Sequence, residues 1–151
     1  GMNVVAFDPY VEKAEIYFYF HKNISDQRIK FEIKTVSKED VLRQADFVTM
    51  HVPSTDKPAI GKEELEHMKQ GAYLINCARG GVVDEAALIE ALNSGKIRYA
   101  ALDVFEQEPP VNDAILKHDR VSLTPHIGAS TAEAQNRIGI ELAERIIDLC
   151  Q

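Results

Sequence analysis

The amino-acid sequence predicts an α/β fold built on a mostly parallel, doubly wound sheet. Strand-like and helix-like runs alternate along all 151 residues, as they do in chains of βαβ units. Several of the helix-like runs begin at a polar residue that is suited to capping a helix N-terminus. Polar side chains that could take part in catalysis or binding follow the strands, at the position where open α/β sheets bind their ligands.

The first strand is predicted over residues 4–7, VVAF, a continuous apolar run of the kind that is buried in parallel sheets. A modest helix and a turn are expected in residues 14–30, and the next strand in residues 32–36. Four consecutive aromatic residues, 17–20, lie in this connection. They could form a stacking surface for a ring ligand, but aromatic side chains mainly contribute buried area, which favours packing in a core or an interface.

Ser37 followed by Asp40 is a capping-box pattern that predicts a short helix ending at Gln44. A strand, a helix and a strand are then predicted over residues 45–53, 62–69 and 72–78.

Asp84 is placed to cap a helix over residues 85–95, which Gly95 would end. Strands are predicted over residues 98–105 and 120–126. Ser130 followed by Glu133 repeats the capping-box pattern and predicts a long helix that reaches the end of the chain. No linker-like segment divides the sequence, so residues 1–151 are expected to form a single domain.

Composition narrows the possible partners. The sequence is 45% hydrophobic and 27% charged, as in ordinary globular proteins, and its net charge of −7 argues against nucleic acid or an anionic membrane as a partner. Its two cysteines, Cys77 and Cys150, are far apart and lack the spacing of metal ligands. We therefore expect no metal site and a reducing, cytoplasmic location.

Three short stretches that follow strands carry residues suited to catalysis or binding. NCARGGVVDE contains Arg79, whose planar guanidinium matches a carboxylate, and LDVFEQEPP contains Asp103 and Glu108. TPHIGAST places His126 between a proline and an isoleucine–glycine pair. Taken singly, such an arginine more often forms a surface ion pair, such acids are more often simply solvated, and such a histidine is more often structural.

Together with GMNVVAFDPY and HVPST, these stretches resemble the cofactor domain of the D-isomer-specific 2-hydroxyacid dehydrogenases. The five motifs occur in order over almost the whole chain, and only the aromatic segment departs from the resemblance. The resemblance implies a Rossmann-like fold, NAD as the cofactor, a small-molecule 2-hydroxy acid or 2-oxo acid as the substrate, and a homodimer.

The resemblance also implies roles for single residues. His126 would be the general base that takes the proton from the substrate hydroxyl while a hydride leaves the carbon for the nicotinamide. Glu108 would pair with the imidazole and stabilise its charged form, and Arg79 would hold the substrate carboxylate.

On the cofactor side, Asp8 would bind the adenosine ribose and repel a 2′-phosphate, which favours NAD over NADP. The other positions implied for the cofactor are Val52 and Pro53 near the adenine, and Cys77, Ala78, Asp103 and Gly128 around the nicotinamide and its ribose.

Members of this family also carry a strand, a GxGxxG turn and a helix before the residues that match here, as well as a substrate domain. None of the eight glycines of this chain stands in a GxG pattern. The expectation is a partial dinucleotide-binding domain with no substrate domain, inactive by itself. Two further classes stay open: a non-catalytic interaction module like the related corepressors, and a mononucleotide binder, although the DPYVEK turn lacks phosphate-binding residues.

The strand that would be missing is the central one of the family's 3-2-1-4-5-6 order. If its neighbours closed the gap, the remaining strands would run 2-1-3-4-5, a flavodoxin-like order. Alternatively, another chain would fill the gap, since an unpaired strand edge favours intermolecular pairing, or the fragment would be unstable.

Overall fold

The computed structural model describes residues 1–19, 28–54 and 56–150. The strands are β1 (Lys13–Tyr19), β2 (Arg28–Lys34), β3 (Phe47–Met50), β4 (Ala72–Asn76), β5 (Ile97–Leu102) and β6 (Val121–Leu123). The helices are α1 (Lys38–Gln44), α2 (Lys62–His67), α3 (Glu85–Asn93), α4 (Asp113–Leu116) and α5 (Ala132–Leu149). No helix in these ranges is both long and apolar enough to span a bilayer.

Strands β3 to β6 form a parallel sheet in their order along the chain, which confirms the predicted α/β class. The crossovers run through α2, α3 and α4. Since parallel crossovers are right-handed and the order never reverses, these helices lie on the same face of the sheet.

The core lies between this sheet and the helices. Strand residues Val48, Leu74 and Leu102 are buried on the covered face. Each helix from α1 to α4 adds apolar side chains to the same cluster, among them Leu42, Leu65, Leu88, Leu92 and Ile115.

The opposite face of the sheet carries a row of stacked aromatic rings. The ring centroids of Phe47 and Tyr73 are 4.6 Å apart, and those of Tyr73 and Tyr99 are 6.1 Å apart. Phe47 is 57% exposed and Tyr99 is 47% exposed. Within the described residues the sheet is therefore covered on one face, as in one half of a doubly wound fold.

The prediction of a buried strand over residues 4–7 is wrong. The segment forms an isolated parallel bridge between Ala6 and Thr35, with the Val36 amide donating to the Ala6 carbonyl at 2.9 Å. Val4 and Phe7 are 66% and 44% exposed, because one neighbouring strand cannot bury both sides of the segment. The 2-1-3-4-5 order is also not found, since the segment pairs with Thr35 and β3 pairs with β4.

The connection that follows is a β-hairpin instead of a helix and turn. Strands β1 and β2 pair antiparallel, with Ile16 opposite Phe31 and Phe18 opposite Ile29. One face of the hairpin is apolar and includes Ile16, Phe18, Ile29 and Phe31, and the other face carries mostly charged residues together with Tyr17. The apolar face is open: Phe18 is 56% exposed, which rules out core packing for that aromatic residue. Phe20 lies outside the described residues.

Most predicted helix ends are confirmed. Ser37 Oγ accepts from the Asp40 amide at 3.1 Å, Asp84 Oδ1 accepts from the Ala87 amide at 2.9 Å, and Gly95 follows α3 with a φ of 75°. Helix α5 differs, because its N-cap is Thr131 and not Ser130. The Ser130 amide donates to the Ile127 carbonyl in a preceding turn, which delays the helix by one residue.

Helix α4 was not predicted. It is a single turn of four residues, capped by the side chain of Asn112, which accepts from the Ala114 amide at 3.2 Å. A segment this short has too little apolar periodicity to be recognised in a sequence.

Candidate active site

The three polar stretches meet at one edge of the sheet. Asn76, Leu102 and Leu123 are in register at the carboxyl ends of β4, β5 and β6. The loops that follow these strands therefore leave the sheet side by side, which is the position of ligand sites in open α/β folds. The sequence separates the loops by more than twenty residues each, and the parallel sheet brings them together.

His126 and Glu108 form a hydrogen-bonded pair. The His126 Nδ1–H donates to Glu108 Oε2 at 2.8 Å, and Glu108 Oε1 accepts from the Phe105 amide at 3.2 Å. The bond to His126 is the main reason why the pKa of Glu108 is lowered. The His126 side chain is 51% exposed, so its Nε2 stays open to a ligand. Its backbone φ of 55° is uncommon outside glycine and fits a turn held in place by its surroundings.

Asp103 holds the loop that carries His126. The carboxylate is 2% exposed and accepts from Thr124 Oγ1 at 2.5 Å, from the Ile127 amide at 2.9 Å and from the Gly128 amide at 2.7 Å. Burial raises the pKa of Asp103, but these hydrogen bonds outweigh burial and the net pKa is lowered. A Cβ at position 128 would lie 2.9 Å from Asp103 Oδ2, so glycine permits this close approach.

Asn76 shapes the loop that carries Arg79. Its side-chain amide, 2% exposed, donates to the Arg79 carbonyl at 3.1 Å and accepts from the Ala78 amide at 3.1 Å. Arg79 is exposed, and its guanidinium donates to the Ala78 carbonyl at 2.6 Å. Asn76 was not predicted; the signal that the sequence offers is a polar residue at the end of an otherwise apolar strand.

Gly80 brings the Arg79 loop against the Glu108 loop. A Cβ at this position would lie 1.8 Å from the Phe105 carbonyl oxygen, so any larger residue would push the two loops apart. Gly80 therefore has a packing role at the site.

The predicted cofactor residues fall into two groups. A Cβ on Gly128 would lie 4.0 Å from Cys77 Cβ and the Gly128 amide donates to Asp103, so Cys77 and Gly128 form one group at Asp103; Cys77 is exposed, and Ala78, which follows it, is half-buried. Asp8 lies apart from them, on the segment that pairs with Thr35.

Asp8 and the Val52–Pro53 pair complete the cofactor positions. Asp8 is exposed and its Oδ1 accepts from the Tyr10 and Val11 amides at 2.8 and 3.1 Å, which fixes a turn after the first segment. Val52 packs against the core just after β3, and Pro53 is exposed.

The sequence of this chain matches a known protein family. The family model described as "D-isomer specific 2-hydroxyacid dehydrogenase, NAD binding domain" matches residues 1–128. A D-3-phosphoglycerate dehydrogenase from Methanocaldococcus jannaschii is 45% identical over 148 residues, which are 97% of this chain and 26% of that protein. A hydroxypyruvate reductase from Thermotoga maritima is 40% identical over 151 residues, 97% of this chain and 44% of that protein. The chain thus spans less than half the length of either relative.

Solved structures show the same likeness. A glyoxylate reductase from Paecilomyes thermophila matches with a TM-score of 0.67 and 39% identity, over 72% of this chain and 34% of that one. A D-isomer specific 2-hydroxyacid dehydrogenase from Xanthobacter autotrophicus, in complex with NADPH and MES, matches with a TM-score of 0.56 and 46% identity, over 59% of this chain and 30% of that one. The chain therefore belongs to the D-isomer specific 2-hydroxyacid dehydrogenase family, within its NAD-binding domain.

Proposed function

We propose that residues 1–151 are a partial dinucleotide-binding domain of an NAD-dependent D-2-hydroxyacid dehydrogenase, whose substrate domain lies outside them. The observation that carries this proposal is the His126–Glu108 pair, 2.8 Å apart at the carboxyl edge of the sheet. An imidazole that a carboxylate orients through one nitrogen can exchange a proton through the other.

In the reaction, His126 Nε2 takes the proton of the substrate hydroxyl. NAD, when bound, would supply the acceptor for the hydride that leaves the same carbon, so that a 2-oxo acid results. Glu108 stabilises the imidazolium that forms, because its carboxylate stays ionised at neutral pH. In the reverse direction, His126 returns the proton to the carbonyl oxygen.

Arg79 binds the substrate carboxylate in this proposal. Its guanidinium is exposed and donates to the Ala78 carbonyl, so a rotation of the side chain alone presents its planar fork to a carboxylate. Asn76 and Gly80 fix the backbone from which it extends.

The residues present fit the two ends of a dinucleotide. Asp8 offers a carboxylate oxygen to the ribose hydroxyls, and the loops at Cys77 and Gly128, which lie next to each other, would form a surface against which the nicotinamide lies. Val52 and Pro53 complete the adenine side, and Cys77 and Asp103 complete the nicotinamide side. The 151 residues contain no GxG turn for the pyrophosphate, so we expect the affinity of this chain alone to be low.

The names of the most similar relatives support a finer proposal. We infer that the enzyme acts on 3-phosphoglycerate in serine biosynthesis, since relatives 40–45% identical over at least 97% of this chain are D-3-phosphoglycerate dehydrogenases. We place it in the cytoplasm as a homodimer. Cys77 and Cys150 are both exposed and free, which suits a reducing compartment.

A non-catalytic interaction module is the second candidate. The apolar face of the β1–β2 hairpin and the unburied α5 favour it, because exposed apolar patches of this size commonly mark interaction sites.

Titration of the ¹⁵N-labelled chain with NAD separates the two candidates. We expect amide shifts to cluster at Asp8, Ala78, Ile127 and Gly128, at millimolar NAD. Shifts confined to the hairpin, or none, would reject the dehydrogenase proposal. In the same preparation, 3-phosphoglycerate and NAD are expected to give no NADH, because the pyrophosphate turn and the second wall of the substrate cleft are not among these residues. Steady NADH formation that His126→Ala abolishes would contradict this expectation of inactivity.

A further inference from the structure

Glu85 is a buried carboxylate that takes no direct part in the His126–Glu108 pair. It is 7% exposed at the start of α3. Its Oε1 accepts from the Glu106 amide at 2.9 Å, and its Oε2 accepts from the Asn112 side-chain amide at 2.9 Å. Both oxygens of Glu85 therefore bind the loop that follows β5.

The loop binds Glu85 in return. The Glu85 amide donates to Glu106 Oε1 at 3.0 Å, and this N–H belongs to the first turn of α3, where it has no partner within the helix. Three hydrogen bonds thus fasten residues 106 and 112 to α3. Glu108 lies between these two anchors.

We propose that Glu85 is a positioning residue, which holds the loop so that the Glu108 carboxylate faces His126. The proposal rests on the proposed function, in which that pair transfers the proton. It assigns a task to a residue that the sequence motifs left without one. A residue that only stabilised α3 would affect folding without affecting the state of Glu108.

Only a carboxylate satisfies both donors. A glutamine at position 85 could accept one hydrogen bond and would turn its own NH₂ toward the other donor. Asn112 cannot compensate by rotating its amide, because Asn112 Oδ1 already accepts from the Ala114 amide at 3.2 Å. An aspartate at position 112 would accept from the NH₂ of that glutamine with one oxygen and keep the cap of α4 with the other.

This reversal of donor and acceptor gives the test. Glu85→Gln, Asn112→Asp and the double variant are made in the full 151-residue chain, and the side-chain carboxyl of Glu108 is titrated by ¹³C NMR. In the wild type the bond to His126 lowers the pKa of Glu108. We expect Glu85→Gln to raise it toward the value of an exposed glutamate, and Asn112→Asp in that background to lower it again.

The matched control is Glu90→Gln, the same change in the same helix. Glu90 is an exposed residue 3.6 Å from Lys62, and its loss is expected to leave the Glu108 titration as in the wild type. A folded Glu85→Gln variant with an unchanged Glu108 titration would overturn the proposal, even if its melting temperature fell. So would a double variant that stays like Glu85→Gln.

A second variant keeps the test decisive if Glu85→Gln does not fold. Glu106→Ala removes only the bond from the Glu85 amide, at an exposed side chain. A smaller rise in the pKa of Glu108 is expected, and no rise in a folded protein would count against Glu85. These titrations use no NAD and no substrate, so they stand or fall separately from the NAD-binding test of the proposed function.

Discussion

Asp103 and Glu108 lie five positions apart in one loop, yet their surroundings give them different tasks. Asp103 is buried, and both of its carboxylate oxygens accept hydrogen bonds from the loop of His126. The side chain of Glu108 is 38% exposed and pairs with the imidazole itself. Both have a lowered pKa: at Asp103 burial is the largest single effect and is outweighed by the hydrogen bonds together, whereas at Glu108 the hydrogen bond to His126 is itself larger than the effect of burial. One carboxylate therefore fixes geometry and the other supplies charge.

We expect Asp103→Asn to destabilise the fold by about 1–3 kcal/mol at pH 7, because an amide cannot accept all three hydrogen bonds. Because the pKa of Asp103 is lowered in the folded state, its contribution to the free energy of unfolding depends on pH. Its contribution is fully present above the unfolded pKa, near 3.8, and is lost as the pH falls through the lower folded value. Urea unfolding between pH 7 and pH 3 measures this.

The control for this prediction is Asp119→Asn. Asp119 is exposed and lies just before the amino end of β6, whereas Asp103 lies at the carboxyl edge of the sheet. The acid loss of stability should be smaller in Asp103→Asn than in the wild type and unchanged in Asp119→Asn. Equal slopes in all three proteins would contradict the assigned role of Asp103.

Asp8 is expected to make the chain prefer NAD to NADP. Asp8→Asn should weaken NAD binding about tenfold, as expected for a lost hydrogen bond to a charged acceptor, and should narrow the preference. Calorimetric titration with both dinucleotides measures this, and Glu12→Gln controls for the lost charge in the same exposed segment. Equal wild-type affinities for NAD and NADP would refute the assignment.

Within the candidate site, one contact could be predicted from the sequence, whereas the residues that support the loops could not. His126 and Glu108 were predicted as a pair and lie 2.8 Å apart. Glu85 was missed because its partners, the Glu106 amide and the Asn112 side chain, lie 21 and 27 positions away, and Asn76 was missed because its partners are backbone groups of its own loop. Contacts of that kind depend on how loops pack, which short motifs do not encode.

At the scale of elements, the sequence predicted a helix start correctly where the cap depends only on neighbouring residues. A cap needs only four consecutive residues, so the start of α1 at Ser37 and that of α3 at Asp84 were predicted correctly. The hairpin was missed although β1 and β2 alternate with period two, because a helix was expected from the neighbouring elements. The prediction of a buried strand over residues 4–7 was wrong for another reason, since the burial of a strand depends on neighbours elsewhere in the chain.

The N-terminus of α5 gives a prediction at this scale. Thr131→Ala removes the bond from the Ala134 amide and should destabilise α5 by about 1 kcal/mol. Ser130→Ala should have little effect, since Thr131 provides the side-chain cap. Because α5 buries no residue, the loss should appear as reduced helicity in circular dichroism with little change in the unfolding of the sheet. An equal loss of helicity in the two variants would contradict the assignment of Thr131 as the only side-chain cap.

At the scale of the whole molecule, three apolar surfaces have no cover within the described residues. They are the sheet face with Phe47 and Tyr99, the apolar face of the β1–β2 hairpin, and α5. At about 100° per residue, the apolar positions of α5 span about 200° of its circumference, against the ≳100° stripe of an ordinary surface helix. These positions are Ile138, Ile140, Leu142, Ile146, Ile147 and Leu149, each at least 50% exposed.

We therefore expect the chain to form a dimer in which α5 is covered. A helix packed on its own chain would bury one side, and α5 buries none, so its apolar arc is available to a second copy. Leu142→Glu introduces a charge into that arc and should shift the chain toward monomers, whereas Arg137→Gln makes the same change of charge on the polar side and should not. Light scattering at micromolar concentration distinguishes these outcomes, and a single wild-type species at 16.9 kDa would reject the dimer.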